Sequence, residues 1–154
     1  MTLGKAEIKI LAQLQHEGRM TNQELADKVG MSASPCWRMV RKLESDGVIQ
    51  GYRAVLNRKK INLNVMVFVR VIIDSHSEAQ ARKFEQEVSE LENVVACYSI
   101  GGDSDFLLQV VSADLDSYAD FAMGVIRRLP GIKEMQSMFV LKEIKELSVW
   151  PLVK

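Results

Sequence analysis

Two stretches of this sequence carry side chains whose types and spacing could do chemistry. The first is "SASPCWRMVRKLESDG", residues 32–47, where Arg38, Arg41 and Lys42 lie between Ser34 and Ser45. On a helix these five fall within about 100° of arc, with Trp37 at the margin. Guanidinium groups can pair with guanine edges, and an ammonium supplies a phosphate contact. The second is "GGDSD", residues 101–105. Backbone N–H groups exposed there could hold a carboxylate while an aspartate faces an ammonium, which would suit a free amino acid. The same residues also make a plain turn, because glycine permits positive φ and aspartate favours turns. On residue types alone, both readings of the second stretch stand.

The basic stretch needs a scaffold that holds its helix against a body. Cys36, Met39, Val40 and Leu43 recur at i, i+3, i+4 and i+7, an apolar stripe opposite the cations. Ser32 or Ser34 can cap this helix, Pro35 sits in its first turn where a missing N–H costs nothing, and Asp46-Gly47 ends it. Ahead of it, "MTNQELADKVG" reads as a capped helix from about Asn22 to Val29. Thr21 and Glu24 form a capping box, Met20 and Leu25 a staple, and Gly30 a stop. Residues 5–17 carry Ile8, Ile10, Leu11 and Leu14 at helical spacing up to Gly18. Two helices joined by a short turn, the second with a basic face, describe a helix-turn-helix. Residues 48–56 alternate loosely around Gly51 and predict a short two-stranded wing, and "NRKKINLN" reads as a basic linker. The first domain is thus expected over residues 1–63 and the second over 64–154.

The second half changes character. "VMVFVRVIID" predicts a strand buried on both faces. Ser75 and Glu78 suggest a capping box before a helix with Ala81, Phe84, Val88 and Leu91 on one stripe. "VVACYSI" and "FLLQVV" predict two strands joined by the "GGDSD" turn. Asp114 can cap a helix bearing Tyr118, Phe121, Ala122, Val125 and Leu129, which Pro130-Gly131 breaks, and "MQSMFVLKEI" predicts a last strand. The order βαββαβ is ferredoxin-like, so the fold class is α+β: a winged helix-turn-helix followed by a ferredoxin-like domain. One face of such an open sheet stays bare, and its apolar content suggests that a partner covers it.

Charge supports a polyanion partner for the first half only. The 154 residues carry 20 Lys or Arg and 20 Asp or Glu, yet residues 1–60 have a net charge of +5 and the remainder −5. Two cysteines without a CxxC fit a reducing cytosol. No signal core or membrane-length apolar run occurs, so a cytoplasmic chain without membrane attachment is expected. His16 and His76 have no second ligand at metal spacing, and Cys36 and Cys97 read as core residues. With no nucleophile–base pair, metal cluster or phosphate loop in view, an enzyme is not expected, and neither is a cofactor.

"TNQELADKVGMSASPCWRMVRKLESDGVIQGYRAVLN" resembles the helix-turn-helix of the Lrp/AsnC (feast/famine) transcription regulators. The "GGDSDFLLQV" and "PGIKEMQSMFVLKEIK" segments resemble their regulatory domain, and the likeness runs in the same order over nearly the whole chain. It implies a DNA-binding transcription regulator that dimerises through the regulatory domain, often assembles to tetramers or octamers, and responds to an amino acid. Leucine, methionine or another small apolar or sulfur amino acid is implied as effector. The DNA-contacting candidates are then Ser32, Ser34, Pro35, Trp37, Arg38, Arg41 and Lys42, facing promoter duplex. The resemblance places the glycine-aspartate loop in an effector pocket at the contact between dimers. The candidates there are Gly101, Gly102, Asp103 and Asp105, with Ser137 where relatives often have Thr, and Tyr98 and Gln136 nearby. Two departures stand out. Gly4 replaces a common Asp while Glu7 is retained, and Met39 occupies a position where Arg is common, with Arg38 one residue earlier. A one-residue shift rotates a side chain by about 100°, so base preferences of relatives do not transfer. An architectural DNA-binding protein that ignores metabolites is the competing expectation.

Overall fold

The computed structural model describes residues 2–74, 78–146 and 149–152. The chain forms two compact units, Met1–Val55 with Lys145–Lys154, and Leu56–Ile144. This differs from the expected 1–63 and 64–154 division at both crossings, for reasons visible in the contacts below.

The first unit is built on α1 (Lys5–His16), α2 (Asn22–Val29) and α3 (Ala33–Ser45). α2 begins where the capping box places it. The Thr21 N–H donates to Glu24 Oε2 at 2.6 Å, and Glu24 N–H donates to Thr21 Oγ1 at 3.2 Å. Gly30 closes the helix at φ 72°, and Met31 N–H donates to the Ala26 carbonyl at 2.9 Å. α1 has only half of such a box. Gly4 N–H donates to Glu7 Oε2 at 2.7 Å, but glycine offers no side-chain oxygen in return. Ile10, Leu11, Leu25, Ala26, Val29, Cys36 and Leu43 form the core, with Met39 and Val40 packed against it. Burying each large apolar side chain in this small core stabilises it by about 1.5–3 kcal/mol. Thr21→Ala is expected to cost about 1 kcal/mol of stability through the lost cap, read as a lower urea midpoint at unchanged slope.

The wing does not form as a hydrogen-bonded ladder, and no strand occurs over residues 48–56. The N–H groups of Val48 and Ile49 both donate to the Leu43 carbonyl, finishing the last turn of α3. The chain then passes through Gly51, at φ 154°, without a strand partner among the described residues. The segment read as a linker is instead folded onto the second unit. Arg58–Ile61 is a 3-10 turn capped by Asn57, and the Arg58 guanidinium reaches the Leu63 and Asn64 carbonyls and the Glu143 carboxylate.

The second unit contains β1 (Val65–Ile73), α4 (Glu78–Ser89), β2 (Val94–Ser99), β3 (Phe106–Ser112), α5 (Leu115–Gly124) and β4 (Ile132–Phe139). The antiparallel sheet has the order β2-β3-β1-β4, the ferredoxin-like arrangement. Phe84 and Val88 of α4 and Tyr118 and Ala122 of α5 pack on Val67, Val69, Val71, Leu108 and Val110. Asp114 caps α5 by accepting from Ser117 N–H at 2.7 Å. The Ser75 part of the expected cap on α4, and His76, lie outside the described residues.

Three expectations change here. β1 is buried on one face only, because both helices cover the same side and Met66, Phe68, Arg70 and Ile72 stay half-exposed opposite them. β4 starts earlier and ends sooner than residues 135–144. Gly131, at φ 75°, turns the chain straight into the sheet, and beyond Val140, whose N–H donates to Met66, the start of β1 leaves nothing to pair with. Cys97 is exposed rather than in the core, since it lies on the edge strand β2, whereas Cys36 is buried as expected. No helix among the described residues is long and apolar enough to cross a membrane.

Candidate nucleic-acid interface and ligand pocket

α3 is held down by Cys36 and Leu43, both fully buried, and this turns Ser34, Trp37, Arg38, Arg41 and Lys42 outward. Three residues separate it from α2, and the Asn22 side-chain amide donates to the Ala33 carbonyl at 2.9 Å, fixing the turn between the two helices. Ser32 is the N-cap but its side chain makes no capping bond. The Ala33 and Ser34 N–H groups belong to the first turn, which has no intrahelical acceptor, and lie at the positive end of the helix dipole, a setting that favours an anion. Pro35 lacks an N–H and fits this first turn.

The three cations differ in their surroundings. Lys42 donates to Glu7 Oε1 at 3.2 Å and lies 3.7 Å from Asp46 Oδ2, so it ties α3 to α1. The Glu7 side-chain bond and charge raise the Lys42 pKa, and the Gly4 N–H and Lys42 lower that of Glu7. Arg41 pairs with Glu44 at 3.2 Å, and its guanidinium carbon lies 5.9 Å from the Trp37 ring centroid. Glu44 also accepts from the Tyr52 hydroxyl at 3.1 Å. Both ion pairs have an exposed basic partner, so an incoming phosphate displaces either acid at little cost. Arg38 is exposed and makes no ion pair with any described residue.

Glu7 and Glu24 are both held below the ordinary glutamate range, chiefly by backbone N–H bonds at the starts of α1 and α2. A lowered folded pKa stabilises above the unfolded value, about 4.3, and that stabilisation disappears as pH falls through the lowered values. The urea midpoint of the first unit is therefore expected to hold from pH 7 to about 5 and to fall below about 4.

The glycine-aspartate loop lies between β2 and β3. Gly102 has φ 111° and Gly101, Gly102 and Asp103 are exposed. Asp105 ties the loop into the sheet. Its N–H donates to the Val71 carbonyl and its carboxylate accepts from Ile73 N–H, both at 2.9 Å. Asp103 makes no hydrogen bond or ion pair with a described residue. It borders two adjoining hollows of about 230 and 390 Å³. Arg70, Ile72, Ser104, Glu134 and Gln136 line the smaller, and Gly102, Asp105 and Lys133 help line the larger. Arg70 Nε donates to the buried Ser104 Oγ at 2.9 Å and its Nη1 to Gln136 Oε1 at 3.4 Å. The hollows thus offer both signs of charge at short range, as a zwitterion requires.

Strand register explains which candidates converge. Tyr98, Leu107, Arg70 and Gln136 form one row across the open face of the sheet. Gln136 lines the hollow, whereas Tyr98, on the edge strand, does not. Ser137 points to the other face, where its hydroxyl bonds that of the buried Tyr118. Arg70, Ser104, Lys133 and Glu134 escaped the sequence reading. Arg70 carried a signal, the one charge inside an apolar strand.

The first unit and the sheet both match described families. Residues 3–50 match a winged helix-turn-helix DNA-binding domain, and residues 66–150 match the Lrp/AsnC ligand binding domain. A leucine-responsive regulatory protein of Rhizobium meliloti is 38% identical over 144 residues, covering 94% of this chain and 92% of that protein. The Escherichia coli K12 protein of that name is 34% identical, covering 94% and 88%. A transcriptional regulator of Neisseria meningitidis, solved as its complex with L-methionine, superposes with a TM-score of 0.93 at 37% identity, covering 97% of both chains. Escherichia coli AsnC shares the fold, with a TM-score of 0.89 at 20% identity over 98% of this chain and all of that one.

Proposed function

The chain belongs to the Lrp/AsnC family of transcription regulators, and from that premise we propose how it reads DNA and what it senses. α3 enters the major groove of promoter duplex, with Arg38 toward base edges or flanking phosphate. Arg41 exchanges Glu44 for phosphate, while Ser32, Ser34 and the open N–H groups at the start of α3 meet the backbone. Trp37 lies beside that contact, and Lys42 adds charge from its place against Glu7. The observation that carries this reading is the exposed basic face of α3, with Arg38 paired to no acid among the described residues, on a helix pinned by Cys36 and Leu43.

The second unit takes a free amino acid at the loop Gly101–Asp105. Loop N–H groups or Arg70 meet the carboxylate, and Asp103 or Glu134 meets the ammonium. The Neisseria relative's methionine complex and the leucine-responsive relatives support a small apolar or sulfur amino acid. The half-exposed apolar row of the sheet supports a homodimer as the working unit, with larger assemblies placing neighbouring loops together. The protein acts in the cytoplasm, where promoter DNA and free amino acids meet.

Fluorescence anisotropy with promoter fragments tests the first part. Sequence preference with a steep fall in affinity as salt rises is expected, and equal binding to random duplex sinks it. Calorimetry against the twenty amino acids tests the second. If none binds and none changes assembly, the architectural reading replaces the sensor.

A further inference from the structure

The chain crosses between its units a second time, near Ile144 and Lys145, and the tail that follows belongs to the first unit. That tail is fastened by its backbone. The Trp150 N–H donates to Gln15 Oε1 at 2.6 Å, and Gln15 Nε2 donates to the Trp150 carbonyl at 3.2 Å. One side-chain amide on α1 therefore satisfies both peptide groups of Trp150, as a neighbouring strand would. Pro151 follows, which favours extended backbone at Trp150. It leads into Leu152, which is half-buried against the three-helix core with Leu3, Leu14 and Ile49. The groove these residues share, of about 510 Å³, is otherwise lined by α1 and residues 48–52.

The other end of the strap is fastened as well. Glu143 is paired with Arg58 at 2.9 Å in the second unit. Just before it comes β4, whose Glu134 and Gln136 line the loop hollow. Glu134 and Gln136 at the proposed amino-acid site, Glu143 with its ion pair, and the docked Trp150 and Leu152 thus all lie on the C-terminal stretch of the chain. We propose that the tail Val149–Leu152 is the latch through which amino-acid binding reaches the DNA-binding unit, with Gln15 as its catch. The proposal rests on the amino-acid reading of the loop and adds the route. A ligand that grips β4 biases where the strap ends, and so whether the latch sits in its groove. An energetic link between distant sites requires an element with two states, so the proposal requires that the tail also populate an undocked one.

The test uses the full chain, Gln15→Ala, Gln15→Glu and a chain lacking residues 150–154. Gln15→Glu keeps the size of the catch but cannot donate to the Trp150 carbonyl. Calorimetry reads amino-acid affinity, anisotropy reads DNA affinity with and without the amino acid, and hydrogen exchange reads α1. The expected result is faster exchange in α1 and amino-acid binding that persists, its affinity shifted by no more than the coupling factor that the full chain shows. The factor by which the amino acid alters DNA affinity, commonly 5- to 150-fold in such systems, falls toward one. If that factor is unchanged in all three variants, the latch is overturned. If the full chain itself binds no amino acid, the reading of the loop is overturned first, and calorimetry alone reveals it.

Discussion

An Arg38→Ala variant is expected to bind its specific duplex about 5- to 150-fold more weakly, a loss of about 1–3 kcal/mol. Its thermal unfolding should match that of the parent. The reason is the unequal setting of the three cations. Arg38 is exposed and pairs with no acid among the described residues, so its interaction free energy is available to the DNA. Arg41 must give up Glu44, and Lys42 must share itself with Glu7 and Asp46. Arg41→Ala should therefore cost less than Arg38→Ala, and Lys42→Ala least. If Arg38 pairs with a base, its removal also relaxes preference at one position. If it holds a phosphate, affinity falls alike for all sequences and the salt slope shrinks by about one. Equal affinities for parent and Arg38→Ala would remove Arg38 from the interface.

What could be read before the structure follows from how local each signal is. The box at Thr21 and Glu24, the stop at Gly30 and the apolar stripe of α3 act within one or two turns, so their spacing alone defines two helices and their facing. The order βαββαβ followed in the same way from hydrophobic period and turn residues. The loop hollow was only half legible. Asp103 and Asp105 look alike in sequence, and only the pairing of β1 with β3 shows that Asp105 is spent on Ile73 N–H. Arg70 and Gln136 meet because β1 and β4 pair at that register, a contact between residues far apart in the chain. Ser137 illustrates the converse, since one residue along a strand reverses the face. The tail was illegible for the same reason. Gln15 and Trp150 are joined by side-chain-to-backbone bonds across 135 positions, and no periodicity announces such a pair. The basic "NRKKINLN" misled because its charges suggested solvent, whereas Arg58 turns inward to two carbonyls and Glu143.

The two aspartates of the loop should separate under mutation, and this is the sharper test of the pocket. Asp105→Ala leaves the Ile73 N–H, a partly buried donor, without its acceptor. Such a loss costs about 1–3 kcal/mol, and it loosens the loop whether or not a ligand exists. Asp103→Ala removes a carboxylate that has no described partner, so the stability of the free protein should stay within about 0.5 kcal/mol of the parent. If Asp103 meets the ammonium of the effector, the same change weakens amino-acid binding by about 1.5–3 kcal/mol, roughly 10- to 150-fold, the range for hydrogen bonds to charged groups. Asp103→Asn should fall between, because an amide oxygen still accepts but carries no charge. Thermal unfolding without ligand and calorimetry with leucine or methionine distinguish the outcomes. A stability loss at Asp105 and an affinity loss at Asp103 assign one residue to building the loop and the other to using it. If Asp103→Ala binds as tightly as the parent, the ammonium partner is another acid lining the hollows, Glu134 first among them. That acid lies on β4, opposite Ile72, and lines the same hollow.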